Sequence, residues 1–527
     1  MSARTPSIAA TARLLALAAF LVFALTGGGR IAGSDEVTMF ELSRAMLHGH
    51  IDVPEGATLQ GPDGRFYSKN TAGEAILAMP LVAAAEMAAK AAHFRETRAM
   101  LAARFVASFF NAVLSALLLA ALYVLARRLG VRARAALAAA VLLGFTTPTW
   151  IYAKSFMAEP LESLGLLLTL GAAAMAAAGG DVDRPGTRRW LSWAALGAFL
   201  AVSAKASMLT LTLAALLALR PWRRPLRLVL PLAGIALAIA GHLAYNFARF
   251  HNALESGYGA QASTSAFSTP LVVGLYGLLV SSGKGVFWFA PALWLLPWGA
   301  SEMLRRRAHG DEPRHGWAAE SALVGAAAMW AIGLAQYATF QHWAGDGSWG
   351  PRYLVPLLPP AFLVIAFALE YGSRTVKRAA WVLAAIGLLV QIAGVGIYFG
   401  AEMREVGDYP YVRALDDPHS LESSHFNPRY SPIAEHWKIL TQNTAAHLRG
   451  DLPQLGQGGP ADPRLGISVG DQQVLLKAID VWWLYARYAG IPAMPLALAA
   501  LLLLAGAAIA GAATLRAANA EREIRGA

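Results

Sequence analysis

The 527-residue chain contains no cysteine, which excludes disulfides, thiolate metal ligands and a cysteine nucleophile. It is also short of charge: Asp, Glu, Lys and Arg make up 15% of it, against about 25% in soluble domains. No zinc signature, P-loop, dinucleotide fingerprint or nucleophile elbow occurs in it. Internal repeats, heptad runs and low-complexity tracts are likewise missing, apart from an alanine-leucine bias in its apolar stretches. Acids are scarcer than bases, 33 against 44, for a net charge of +11. In a soluble protein that balance would suggest nucleic acid. Here the arginines sit in short loops at the ends of apolar stretches, as the positive-inside rule requires, and nucleic acid is not an expected partner.

What is present is apolar. Hydrophobic residues form 56% of the chain, with a mean hydropathy of +0.45. They fall in stretches of about 15–25 residues, the length a helix needs to cross a bilayer. Arg4 and Arg13 put the N-terminus in the cytoplasm, ahead of a first span at 13–28 that is expected to be retained. The next span, 104–126, is followed by Arg127, Arg128, Arg132 and Arg134, so 29–103 is expected outside. Within that first external loop, 36–48 and 74–92 are expected as two helices in the membrane interface, joined by 52–72. Glu74, Glu86 and Lys90 argue against a crossing at 74–92.

Further spans are expected at 134–151 and 158–178, then two short ones within 190–219 that turn near Lys205. Others follow at 226–246, at 285–300 after a re-entrant 271–281, and at 317–339, 353–370, 380–399 and 491–515. The expected fold is an all-α polytopic membrane protein of about twelve spans. Residues 1–399 would form the catalytic membrane module. The proline-rich 400–490 would be an external, loop-rich segment, and 491–527 the last span with a basic cytoplasmic tail.

Ionisable groups beside hydrocarbon are costly, so those that persist point to function. On this topology the unusual ones face outward. Gly33-Ser34-Asp35-Glu36 follows the first span directly. Ser34 could cap a helix with both acids in its first turn, or a carboxylate there could take a proton from an acceptor hydroxyl. In 64–70, Tyr67 and Lys69 could hold a phosphate, or the stretch could be a solvated turn at Asp63-Gly64. Lys154 and Glu159 stand at an external helix start beside Pro160. The aromatic, glycine-rich turn 342–353 supplies His342, Asp346 and Trp349 as candidate pocket residues. Arg352, just inside a span, calls for an anionic partner. Lys205 lies at an external turn, while Arg249 and Lys284 put cations at external helix ends. The acids are too few for a dedicated metal cage, so no cofactor is obligatory, though a divalent metal is admitted.

Acids and cations gathered on one external face suit a substrate that is anionic, amphiphilic and presented from the membrane. A sugar on a polyprenyl phosphate has those properties. Its phosphate would meet the lysines and arginines, and a carboxylate would deprotonate the acceptor hydroxyl that attacks the anomeric carbon.

These residues resemble the GT-C fold membrane glycosyltransferases, in particular the branch of protein O-mannosyltransferases and lipid A aminoarabinose transferases. Asp35-Glu36 resembles that family's acidic pair after the first span, and Tyr67 and Lys69 its Tyr-x-Lys between interfacial helices. Glu159 resembles its second acid at the start of the fourth span. The likeness covers roughly 30–360, and Asn70 stands where the family's lysine is commonly followed by proline. The resemblance implies Asp35 as catalytic base. It leads to the expectation of an inverting transferase acting on an envelope glycan, lipid or protein, among membrane lipids. Its site would face the periplasm from a bacterial inner membrane. A flippase of a lipid-linked sugar, and a polymerase or ligase using diphosphate-linked glycans, remain open. A transporter would be expected to show repeated halves.

Overall fold

The computed structural model describes residues 7–526 other than 57, 260–262, 310–312, 346, 406–424, 456–460, 463–466, 469–473 and 475. Among the described residues, nine helices are long and apolar enough to cross a membrane. Three shorter apolar helical stretches, Ala133–Phe145, Met208–Leu219 and Leu271–Val280, accompany them. A lone segment in hydrocarbon satisfies its backbone only as a helix. Beyond helices, the described residues hold two pairs of two-residue strands. The chain is an all-α polytopic membrane protein.

Helix α1 (Ile8–Thr26) begins on Ser7, whose hydroxyl accepts the Ala10 N–H at 3.1 Å. The loop after it carries α2 (Ser34–Leu47) and α3 (Ala72–Ala91), packed on each other. The hairpin of Leu59–Gln60 and Phe66–Tyr67 lies between them in sequence. By length and composition α3 is one of the nine, yet its Glu86 pairs with Arg44 of α2 at 2.8 Å. Such a polar seam suits a helix lying in the interface.

The span expected at 104–126 lies within one stretch, Arg98–Arg128, that is long and apolar enough to cross a membrane. The chain forms α4 (Glu96–Ala107) and α5 (Phe110–Arg128), with a break at Ser108 and Phe109. There the Ser108 hydroxyl donates to the Phe105 carbonyl at 2.7 Å, an alternative partner that interrupts the helix. Arg104 stays on α4, paired with Glu41 of α2 at 3.0 Å. Next, α6 (Ala133–Phe145) stops short of the expected 151, because Pro148 has no N–H to continue it. A single turn, α7 (Thr149–Tyr152), follows.

Helices α8 (Glu159–Ala177) and α9 (Pro185–Ala204) then cross at unusually close range. A Cβ on Gly165 would stand 2.5 Å from the Ala201 nitrogen, and one on Gly197 2.5 Å from the Thr169 nitrogen. Only glycine lets these backbones meet. Lys205 terminates α9 and opens the turn to α10 (Met208–Ala215), where the sequence placed it.

After α11 (Val229–Phe250) comes α12 (Leu271–Val280), the stretch read as re-entrant. The helix expected at 285–300 is instead α13 (Val286–Phe289), a 3-10 turn at Pro291–Leu295, and α14 (Leu296–His309). Pro291 accounts for that interruption. Then follow α15 (Pro313–Thr339), a 3-10 turn at Arg352–Leu357 leading into α16 (Leu358–Tyr371), α17 (Arg374–Gly396) and α18 (Phe399–Glu405). The segment read as loop-rich also carries helices Pro432–Leu448 and Trp482–Tyr488. The last helix, Ala493–Gly526, packs against α1. Phe362 and Phe367 of α16, with Leu118, Leu119 and Leu122 of α5, are fully buried at the centre.

Candidate active site

Asp35 is the second residue of α2. The helix is capped from Gly33, so the reading of Ser34 as the cap is corrected: Ser34 is its first residue and its side chain makes no capping bond. Glu36 does that work. Its Oε2 accepts the Gly33 N–H at 2.7 Å and the Ala32 N–H at 3.3 Å, the carboxylate half of a capping box. Its Oε1 accepts the Phe156 N–H at 2.8 Å. Glu36 is therefore spent on backbone, tying the start of α2 to the turn before α8.

Asp35 is free of such duty and meets two cations. Lys69 Nζ lies 3.3 Å from Oδ1. Both terminal nitrogens of Arg352 donate to Oδ2 at 3.3 Å. The third arm of that guanidinium, Nε, donates to Glu159, the first residue of α8. One arginine thus bridges two carboxylates from different elements. Burial works against the charge on Asp35, but Lys69, Arg352 and the more distant Lys205 outweigh it. They hold the carboxyl well below its ordinary range.

The segment carrying Lys69 is stitched on both sides. Arg249, near the end of α11, is fully buried and donates to the Ser68 carbonyl at 2.6 Å and to Asn246 at 2.7 Å. It lies over the rings of Tyr245 and Phe250, at 4.1 and 4.6 Å. On the other side, the Asn70 amide donates to the Asp35 carbonyl at 3.3 Å and to the Thr38 hydroxyl at 3.1 Å. Proline at that position could make neither bond.

Asp35, Lys69, Lys205, Arg249 and Arg352 together line a cavity of about 400 Å³, within the range usual for small-molecule sites. Met39, Phe267, Tyr337, Phe340 and Tyr353 supply its apolar lining. The Tyr337 and Tyr353 rings stack at 4.8 Å, and Lys205 Nζ stands 4.8 Å from the Tyr353 ring. Four cations and one carboxylate thus line it, the groups that holding an anion and accepting a proton would require.

Other residues singled out in the sequence lie elsewhere. The Tyr67 hydroxyl donates to Asp63 at 2.6 Å, and burial together with that carboxylate pushes its pKa up to about 12. Lys154 is buried against Asp480 at 3.0 Å. Lys284 donates to the Ser348 carbonyl at 2.6 Å, beside a separate, much smaller cavity with Glu402, His425 and His436. Trp349 is buried, its indole N–H on Gln391 at 3.1 Å. His342 packs against Phe340 at 5.6 Å without lining the larger cavity. Asp346 lies outside the described residues.

Six candidates thus converge, Glu159 through Arg352, while Glu36, Tyr67, Lys154, Lys284, Trp349 and His342 do not reach this cavity. Sequence reasoning missed Asn70, Tyr258, Tyr337 and Tyr353, all of which line it. Asn70 and Tyr353 adjoin singled-out cations and could have been noticed on that ground. Tyr258 and Tyr337 carry no local signal. Among the described residues, no group of three or more His, Asp or Glu side chains is placed to hold a metal ion.

Residues 102–253 match the family described as dolichyl-phosphate-mannose-protein mannosyltransferase. No curated protein is significantly similar in sequence. Among solved structures, the chain is similar to ArnT from Cupriavidus metallidurans bound to undecaprenyl phosphate. That similarity has 16% identity and a TM-score of 0.48, covering 96% of this chain and 77% of that one. It is also similar to the oligosaccharyltransferase AglB from Archaeoglobus fulgidus, in complex with an inhibitory peptide and a dolichol-phosphate. There the identity is 12% and the TM-score 0.43, over 80% and 60% of the two chains. The resemblance to the GT-C membrane glycosyltransferases is upheld by the family match, which runs from α4 to just past the end of α11.

Proposed function

We propose that this membrane glycosyltransferase moves a sugar from a polyprenyl-phosphate carrier to an acceptor hydroxyl of the cell envelope, with inversion at the anomeric carbon. The acceptor is a glycan, a lipid or a protein, and the reaction takes place on the periplasmic face of a bacterial inner membrane. One observation carries the reading: Asp35 sits between Lys69 and Arg352 in a cavity that also presents Lys205 and Arg249.

The acceptor O–H gives its proton to the Asp35 carboxylate while its oxygen forms the new bond to the anomeric carbon. The bond from that carbon to the phosphate oxygen breaks, and its electron pair stays on the phosphate. Lys69 and Arg352 stabilise that growing charge, with Lys205 and Arg249 nearby. A phosphate that draws these cations toward itself also relieves Asp35 of their pull, which raises its basicity as the acceptor proton arrives.

The test is transfer from a panel of polyprenyl-phosphate sugars to envelope extract, with wild type and Asp35→Asn side by side. Transfer that vanishes in a folded Asp35→Asn protein is expected. Equal transfer by the two would remove Asp35 as the base. Transbilayer movement of a lipid-linked sugar without any new glycosidic bond would replace the transferase by a flippase.

A further inference from the structure

The buried carboxylate of Asp480 lies outside the cavity, in the segment that follows the membrane module, and none of the chemistry above uses it. Its Oδ1 accepts from Arg30 Nε at 2.9 Å, from the Arg30 terminal nitrogen at 2.7 Å and from the Tyr485 hydroxyl at 3.0 Å. Its Oδ2 lies 3.0 Å from Lys154 Nζ. Lys154 also donates to the carbonyls of Asp480 and Val395. Arg30 is stacked over the Tyr398 ring at 4.3 Å. The next residues continue the attachment. The Trp482 N–H donates to the Gly27 carbonyl at 2.8 Å, and its indole to the Ala24 carbonyl at 2.9 Å. The Trp483 indole donates to the Leu25 carbonyl at 3.2 Å. Carbonyls at the end of α1 are thereby satisfied from a segment 458 residues away in sequence.

Both cations held by Asp480 belong to segments that lead into the cavity's acids. Arg30 precedes Asp35 on the segment from α1 to α2. Lys154 lies between α7 and α8, just before Phe156, whose N–H donates to Glu36. The same turn runs on to Glu159, which aims Arg352 at Asp35. One carboxylate therefore fastens the two segments whose relative placement sets the distance between base and cation.

We propose that Asp480 is a positioning residue of the transferase centre, holding the Asp35 and Glu159 segments in register through Arg30 and Lys154. The proposal rests on the function given above. It makes the segment around 480 part of the catalytic unit, although it touches no substrate.

The experiment compares full-length wild type, Asp480→Asn and the milder Tyr485→Phe in one membrane mimetic. It measures kcat and donor KM for sugar transfer, affinity for polyprenyl phosphate alone, and amide hydrogen exchange. Asp480→Asn is expected to lower kcat by about 10- to 100-fold, since misplacement of about 1 Å costs on that order. Tyr485→Phe should lower it several-fold. Polyprenyl phosphate affinity should stay within about threefold of wild type, because the cavity cations are untouched; a loss of folding would abolish it. Exchange should rise in 27–36 and 152–159. Unchanged kcat together with unchanged exchange in either folded variant overturns the proposal. If Asp480→Asn does not fold, Tyr485→Phe decides alone. A wild type that transfers no sugar sinks the transferase reading instead, and the hold of Asp480 on the two segments is then judged on their exchange.

Discussion

Replacing Arg352 by methionine tests whether one guanidinium really supports two carboxylates. Glu159 is 1% exposed and loses the arginine it is bonded to, while Asp35 keeps Lys69, which is 38% exposed, and the more distant Lys205. Breaking a buried ion pair by removing one partner costs about 3–5 kcal/mol, most of it the uncompensated charge left behind. For a chain of 527 residues, the entropy of unfolding near the midpoint is about 1 kcal/mol per kelvin. Arg352→Met should therefore lower Tm by about 3–5 °C. Glu159→Gln alone should cost about 1–2 kcal/mol, since Arg352 still reaches Asp35. In the double variant the orphaned carboxylate is gone, and about 2–3 °C should return, within the range of couplings for residues in contact. Sugar transfer should stay lost in both chains that lack Arg352. Intrinsic tryptophan fluorescence, read at one scan rate in one detergent, measures the cycle. If the two single-variant losses simply add, the shared-guanidinium argument is wrong.

Burial holds His436 neutral down to about 4, with its ring on the Ala393 carbonyl and Asp480 as weaker opposing influences. Its folded pKa lies below the ordinary value of about 6.5, so the unfolded chain binds the extra proton first. The stability it contributes is complete above pH ~6.5 and falls away as pH drops toward 4. His436→Asn should remove about 3 kcal/mol of that acid loss, with denaturation at pH 7 and pH 4 as the check. A residual slope of the same sign is expected from His425, which burial and Lys284 also hold low. Asn70→Ala deletes both amide bonds to α2 and should cost about 1–2 kcal/mol. It should also raise donor KM as Lys69 loses its support; an unchanged KM would refute that role. Gly197→Leu places a Cβ 2.5 Å from the Thr169 nitrogen and 2.7 Å from the Gly165 carbonyl. Overpacking against backbone should cost more than about 3 kcal/mol, read as loss of the monodisperse peak in size exclusion.

Several parts of this architecture are legible in the sequence. Apolar runs marked the helices, and their interruptions by Lys205 and by Ser281–Gly285 marked true breaks. The two helices expected after the first span came out within about two residues of their ends. Less legible were the breaks at Ser108 and at Pro291. An apolar helix and an apolar bent chain have nearly the same composition, and the competing side-chain and proline effects are local.

Within the site, the residue types were legible and their partners were not. Asp35 and Glu36 are neighbours of one chemical class, yet one faces a cavity and the other caps its own helix. That choice follows from rotation about the helix axis and from the position of Phe156, neither of which is written locally. Lys154 and Lys69 likewise read alike as external cations, but Asp480 takes the first out of the cavity.

The bilayer explains what sequence alone determined here. It imposes a one-dimensional test, apolar length between basic flanks, that each segment passes or fails by itself. Sequence therefore settled the class of fold and an expected external face for the chemistry. Which charges meet was decided only by tertiary packing, since Arg352 reaches Asp35 across 317 residues and Arg30 reaches Asp480 across 450. In a medium of low dielectric a buried charge cannot stand alone. Asp35, Glu159 and Asp480 meet the cations that the helix crossings bring near, and those crossings depend on small residues such as Gly165 and Gly197 rather than on the charges themselves.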